Sequence, residues 1–310
     1  MNFEKIPPVE QCSDILDTAF RKARVKGKQK KLAGNWLQII RKKESLKLDI
    51  VKDTIDNSLQ KILTSFPDLN GFPQFYLKLM ALTLDLAELK KALGSIKWVQ
   101  QKNRELHRKF ISLINRETKR EIIKNINKQY YGRISSLLKQ ISHQLRYLET
   151  CRKVMRSYPD IKEMFTVCIY GFPNVGKTTL LNKLTQTKAK VAAYPFTTKS
   201  INAGYLTVNG TQIQVLDVPG TLAREKLNPI ERQAELVLKE LADLIIYVYD
   251  LTESCGYSVE QQQKLQQKLA GREVIIYASK EDLLTESEIR KLKNKLYSIE
   301  QIKAEIAKRL

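Results

Sequence analysis

The stretch Gly171-Phe-Pro-Asn-Val-Gly176-Lys177-Thr178 has the spacing G-x-x-x-x-G-K-[ST], and its flanks decide the fold. Thr166–Tyr170 before it is a short apolar run that reads as a buried strand, and Lys177–Leu184 after it has helical spacing. A glycine turn between strand and helix lets successive backbone N–H groups converge on phosphate oxygens at a helix N-terminus. Gly171, Phe172, Pro173, Asn174, Val175, Gly176, Lys177, Thr178 and Thr179 are therefore expected to cradle the phosphates of a nucleotide. Lys177 is expected to reach the β- and γ-phosphates, and the Thr178 hydroxyl to ligate Mg2+.

Downstream, Asp217-Val-Pro-Gly220 ends an apolar strand. A carboxylate there suits the magnesium shell, and the Gly220 N–H suits the γ-phosphate. Tyr194-Pro-Phe-Thr-Thr198 lies between the first helix and a hairpin, placed as a switch whose Thr198 supplies a second hydroxyl to the metal. The expected metal ligands are thus Thr178, Thr198 and Asp217. A guanine reader usually runs Asn-Lys-x-Asp after an apolar strand; here Val274–Ala278 is followed by Ser279-Lys280-Glu281-Asp282. Lys280 and Asp282 are in register, whereas Ser279 is shorter than asparagine and keeps one hydrogen bond. Guanine is the expected base, with reduced affinity; the alternative is a solvated helix start, because such residues also cap helices. Ras-like enzymes place a water-orienting glutamine after Asp-x-x-Gly. Thr221 and Leu222 follow here, so slow intrinsic hydrolysis is expected.

Tyr205–Val208 and Ile213–Leu216 flank Asn209-Gly210, a hairpin signal, and Leu244–Asp250 is a further apolar strand. Alternating strands and helices with one hairpin predict an α/β sheet, mostly parallel with one antiparallel edge. After Asp282, Glu286–Lys295 reads as a helix, Leu296-Tyr-Ser-Ile299 as a very short strand and Glu300–Leu310 as a last helix. No Ser-Ala pair follows, so Ser298 is the stand-in for a base-contacting loop, and the domain is expected to be shortened at its C-terminus.

Upstream the texture is helical. Asn35–Ile40, Leu46–Leu63 and Phe75–Val99 repeat apolar residues every three or four positions, as do Ile134, Leu137, Leu138, Ile141, Leu145 and Leu148, closed by Tyr158-Pro159. Gly132 is expected to open that last helix; turns are expected at Pro7-Pro8, Gly27, Gly34, Pro67, Asn70-Gly71 and Pro73. Short connections imply an antiparallel bundle. The expected class is α+β multidomain, with a helical bundle over residues 1–160 and an α/β P-loop domain over residues 161–310. The net charge of +21 is uneven, +17 over residues 1–160 and +4 beyond. The front half therefore favours polyanions, nucleic acid ahead of anionic membrane. Its densest cluster, Phe20–Lys31, holds seven basic residues, and Arg41-Lys42-Lys43 follows near Trp36. Such clusters suit phosphate contacts, although lysine runs also occur as solvated helix faces. No membrane-length apolar run or signal segment is visible. Four separated cysteines and two histidines argue against structural zinc or a disulfide framework, so a reducing, cytoplasmic setting is expected.

Gly171–Thr179, Tyr194-Pro-Phe-Thr-Thr-Lys-Ser200 and Asp250-Leu-Thr-Glu-Ser-Cys-Gly256 together resemble the nucleolar GTP-binding protein 1 family, of the Obg group of GTPases. The third segment is not a generic nucleotide motif. Phe3-Glu-Lys-Ile-Pro-Pro-Val9 and Asp14-Ile-Leu-Asp17 also fit, so the resemblance covers nearly the whole chain, in a compact archaeal form. It implies a GTPase using GTP/GDP and Mg2+, a helical domain that docks on ribosomal RNA, and a role in assembly of the large ribosomal subunit precursor. A monomer in isolation, without a membrane partner, is expected. In related GTPases an asparagine at the place of Asn174 holds K+; asparagine there also suits a plain turn. The alternative to a GTPase is a non-hydrolysing RNA-binding assembly placeholder with a degraded guanine site. A tRNA-modification GTPase is disfavoured, because no catalytic cysteine or cofactor domain accompanies the nucleotide domain.

Overall fold

The computed structural model describes residues 3–29, 34–68, 71–159, 161–185, 190–192, 201–222, 228–284 and 296–310. Six helices come first: α1 (Cys12–Gln29), α2 (Trp36–Ser65), α3 (Gln74–Thr83), α4 (Leu86–Arg116), α5 (Arg120–Lys139) and α6 (Ser142–Arg156). The chain divides into two compact units that do not follow a cut at residue 160. One holds residues 4–70 and 84–156, hence α1, α2, α4, α5 and α6. The other holds residues 1–3, 71–83 and 157–310, so α3 joins the sheet.

In the helical unit the apolar stripes are buried. Leu48, Val51, Ile55 and Leu59 of α2 and Leu89, Ala92, Ile96 and Val99 of α4 lie in one core. Polar pairs across that core run in opposite directions along the two helices. Gln100 bonds Gln60, Asn103 bonds Asp56 and His107 bonds Asp49, which makes α2 and α4 antiparallel. The stripe from Phe75 to Val99 is two helices, not one. It breaks at Leu84-Asp85, where the Asp85 carboxylate caps α4 by accepting from the Ala87 and Glu88 N–H groups. The stripe from Ile134 to Leu148 breaks at Gln140-Ile141, between α5 and α6. Gly132 lies inside α5 and Gly27 inside α1, so neither marks a turn. Asn70 and the end of the basic cluster, Lys30-Lys31, fall outside the described residues.

In the other unit α3 brings an aromatic cluster to the approach of the sheet. Phe3 packs against Phe72, Tyr76 and Tyr158 with ring centroids 5.9, 5.2 and 5.5 Å apart. The Tyr76 hydroxyl donates to the Pro159 carbonyl at 2.8 Å and accepts from the Ile161 N–H at 2.9 Å. The sheet follows: β1 (Thr166–Tyr170), α7 (Lys177–Thr185), β2 (Lys190–Ala192), β3 (Ile201–Val208), β4 (Thr211–Asp217), α8 (Pro229–Leu241), β5 (Leu244–Asp250), α9 (Val259–Gln267), β6 (Val274–Ser279) and α10 (Ile299–Arg309). Strand order is β2-β3-β4-β1-β5-β6. Strands β4, β1, β5 and β6 are mutually parallel, while β3 runs antiparallel to β4 and to β2. Strands β1 and β5 are buried at every position, as their unbroken apolar composition requires.

Leu296–Ser298 do not form the short strand expected there. The Tyr297 N–H donates to the Ile276 carbonyl at 3.0 Å, and Ser298 then caps α10 in a capping box with Gln301. The hydroxyl therefore serves helix initiation rather than a base-contacting loop. The helix expected over Glu286–Lys295 lies outside the described residues. Among the described residues no helix is long and apolar enough to cross a membrane.

Candidate nucleotide site

The phosphate loop is anchored from below. Gly171 leaves β1 with φ +152°, and a Cβ there would stand 2.7 Å from the Val248 carbonyl oxygen, so only glycine fits against β5. Phe172 is buried, its ring 4.7 Å from that of Tyr257. Asn174 is exposed at the apex with φ +61°, a left-handed conformation that asparagine tolerates. Val175 is fully buried, and α7 begins at Lys177. The Lys177 ammonium donates to the Gly171 and Phe172 carbonyls at 3.2 and 2.6 Å, which arches it back over its own loop.

Thr178 of α7 and Asp217 at the end of β4 meet. The Thr178 hydroxyl donates to Asp217 Oδ2 at 2.5 Å, and Asn202 donates to the same oxygen at 3.0 Å. Asn202 was not singled out from sequence; it faces Asp217 because β3 and β4 pair in that register. Burial pushes the Asp217 carboxyl up, against the pull of Thr178, Lys177 and Asn202. A buried carboxylate beside a hydroxyl is a hard-oxygen donor pair that fits Mg2+. Gly220 closes on the loop from the other side. A Cβ there would lie 2.6 Å from the Pro173 nitrogen and 2.8 Å from Lys177 Nζ, so the approach is open to glycine alone.

Thr221, at the place of a water-orienting glutamine, is buried and hydrogen-bonded to the Tyr170 hydroxyl. The next residue is tied to α8, Leu222 N–H donating to Glu231 at 3.0 Å. The expected switch threonine Thr198, with Tyr194–Ser200, lies outside the described residues.

On the base side, Ser279 ends β6, donates to the Tyr249 carbonyl at 3.1 Å and lies 3.3 Å from where a Gly176 Cβ would stand. It thus connects the end of the sheet to the phosphate loop. Lys280 has φ +56° and places its ammonium 2.6 Å from Asp250 Oδ2 and 2.7 Å from the Ser254 hydroxyl. Asp250 is completely buried and also accepts from Thr252 and from the Cys255 N–H. Asp282 is exposed on a single 3-10 turn, Glu281–Leu283. The segment Asp250–Gly256, given above only as a resemblance, and Tyr257 directly after it therefore brace both ends of the site. Phe172 rests on Tyr257 and Lys280 on Asp250.

A model of the NOG1 N-terminal helical domain matches residues 3–162, and one of a 50S ribosome-binding GTPase domain matches residues 166–280. An uncharacterized protein of Methanocaldococcus jannaschii is 31% identical over 294 residues, which cover 93% of this chain and 83% of that protein. Nucleolar GTP-binding protein 1 of Drosophila melanogaster is 30% identical over 295 residues, 93% of this chain but 45% of the relative. The chain thus spans most of the archaeal relative and under half of the nucleolar one. Two solved structures overlay in part. A nucleolar GTP-binding protein 1 of Plasmodium falciparum covers 45% of this chain and 75% of its own at 22% identity and TM-score 0.35. The G domain of the T. maritima FeoB iron transporter covers 42% and 82% at 30% identity and TM-score 0.34. With a NOG1 helical domain followed by a ribosome-binding P-loop GTPase domain, the chain belongs to the NOG1 family.

Proposed function

We propose that this chain binds GTP with Mg2+, hydrolyses it slowly, and acts on ribosomal RNA as an assembly factor of the large subunit. The observation that carries the nucleotide half is the corner formed by Lys177, Thr178 and Asp217 beneath Gly220. In this reading Lys177 binds the β- and γ-phosphates, Thr178 and Asp217 hold Mg2+ together with Thr198, and the Gly220 N–H meets the γ-phosphate. Bound Mg2+ neutralises phosphate charge. Guanine is read by Asp282, with Lys280 alongside and Ser279 bracing the loop. Slow turnover follows from Thr221, whose hydroxyl is committed to Tyr170 and which lacks a side chain able to orient water. Asn174, exposed at the loop apex, is the residue placed to hold K+. The charge of +17 over residues 1–160 supports the RNA half, and charge reversal at Arg21, Arg24, Lys26 and Lys28 is expected to weaken association with large subunits.

Calorimetry with GTP, GDP and ATP in Mg2+ buffer tests the reading. Micromolar guanine nucleotide binding, weak ATP binding and faster hydrolysis in K+ than in Na+ are expected. Equal turnover in the two salts, with and without ribosomal particles, removes the K+ role. Undetectable binding at millimolar nucleotide favours instead an RNA-binding placeholder that does not hydrolyse GTP.

A further inference from the structure

The longest helix of the basic unit presents a face that its bundle does not use. α4 buries Leu89, Ala92, Ile96 and Val99 against its neighbours. With 3.6 residues per turn, Lys90, Lys91, Gly94, Lys97, Trp98 and Gln101 share an arc of about 120° on the opposite side. All six are exposed.

Three features set this face apart. Trp98 is 43% exposed although the apolar stripe of α4 is already buried. Gly94, one turn before it, sits inside the helix, and a Cβ there would meet nothing within 4 Å. Among the described residues no packing therefore accounts for a residue that weakens a helix. Among the described residues, finally, Lys90, Lys91 and Lys97 make no ion pair, whereas Lys102 and Arg104 are paired with Glu105 and Asp56. A glycine beside an indole leaves a shallow step where a flat group can lie on the ring and approach the helix backbone. Ammonium groups around that step draw phosphates to it.

We propose that this face of α4 binds RNA, with an unpaired base stacked on Trp98 over Gly94 and the flanking phosphates on Lys90, Lys91 and Lys97. The proposal rests on the RNA-directed reading above and adds, beside the phosphate contacts of the α1 cluster, a base-stacking contact on α4. An open groove lined by His107, Arg108, Ile111, Ser112, Asn115 and Arg116 borders this face, with Arg108, Ser112, Asn115 and Arg116 continuing its arc and His107 and Ile111 to one side. It is about 20 Å further along the helix and extends the phosphate track. An anionic membrane fits less well, because an interfacial helix needs a free apolar stripe and α4 has turned its own into the core.

The test uses the full chain carrying Trp36→Phe, which leaves Trp98 as its sole tryptophan. The probes are a short single-stranded oligoadenylate and a duplex RNA of equal length. The single strand is expected to quench Trp98 fluorescence and to bind more tightly than the duplex. Trp98→Ala should weaken that binding about tenfold without changing its salt dependence, and Trp98→Phe should keep most of it. Glutamate at Lys90, Lys91 and Lys97 together should lower the slope of log affinity against log salt by about 2. Gly94→Ala should raise the melting temperature yet weaken RNA binding, opposite signs that a purely structural glycine does not produce. RNA binding with Trp98 fluorescence unmoved overturns the α4 site and leaves the RNA-directed reading standing. No RNA binding by the intact chain at low salt overturns both. Quenching by anionic vesicles and not by RNA overturns the proposal in favour of a membrane.

Discussion

Lys280 is held at the base side of the site by a partner on another strand. Its ammonium sits 2.6 Å from Asp250, whose side chain has no exposed surface. Burial pushes the Asp250 carboxyl up, but the hydrogen bonds from Lys280, Thr252 and Ser254 outweigh it and hold the group at about 2. Because the folded value lies below the ordinary carboxylate range, this pairing stabilises the fold fully above about pH 4. Its contribution is lost as pH falls towards about 2. Lys280→Ala leaves a buried carboxylate without its cation. The expected cost is roughly 2–3 kcal/mol, below the ~3–5 for fully buried pairs because Lys280 is 28% exposed. Urea unfolding checks this: the deficit should be large at neutral pH and shrink near pH 3, where the orphaned carboxyl is protonated. A deficit independent of pH sinks the assignment. Lys177, Thr178 and Asp217 could be singled out because each sits in a short local motif, the first two in one strand-loop-helix unit and Asp217 at an Asp-x-x-Gly strand end. Asp250, Asn202 and Tyr170 act through side chains that meet across strands, and that register is not written in any single segment.

At the scale of elements, strands were read more closely than helices. An unbroken apolar run can only be buried on both faces, so β1 and β5 have the expected ends. The helical stripes predicted correctly what is buried, and Ile134, Leu138, Ile141 and Leu145 are all in the core. They hid the breaks: across Gln140-Ile141 burial resumes at once after Leu138, and across Leu84-Asp85 the apolar Leu82, Leu84 and Leu86 keep the periodicity although no residue from 81 to 88 is buried. The break before α4 is a cap, with Asp85 competing locally for the N–H groups that start the next helix. What aligns α2, α4 and α5 is a buried polar cluster that no stripe reveals. Asn103 donates to Asp56 at 2.9 Å and to the Lys52 carbonyl at 3.2 Å, and accepts from the Tyr130 hydroxyl at 3.2 Å. Asn103→Ala removes all three bonds and leaves the buried Tyr130 hydroxyl without its acceptor, while the Lys52 carbonyl keeps its helical bond. The expected loss is about 1–3 kcal/mol in urea unfolding, with GTP affinity unchanged. A loss below a few tenths would mean that water or a shifted side chain takes the place of the amide.

At the scale of the molecule, the sequence locates the change from helices to sheet but not the membership of α3. Residues 71–83 lie inside the helical half of the chain and carry helical periodicity, so nothing local separates them from their neighbours. Their aromatic residues settle the matter by packing with Phe3 and Tyr158 at the approach to β1. Lys78 adds an ion pair to Glu240 of α8 at 2.7 Å. This membership has a thermodynamic signature. A ligand that binds only folded protein stabilises the unit that holds its site, by about 2.7 kcal/mol at a hundredfold excess over Kd. GTP with Mg2+ should therefore raise the melting transition of the sheet-bearing unit. Tyr76→Phe removes one donor to Pro159 and one acceptor for Ile161, at a cost of about 1–2 kcal/mol, and should lower that same transition. Asn103→Ala should lower the transition of the helical unit instead. Differential scanning calorimetry of the three proteins, each with and without GTP, reads both assignments at once. If Tyr76→Phe lowers only a transition that GTP does not move, α3 belongs energetically to the helical unit, and the boundary lies near residue 160 after all.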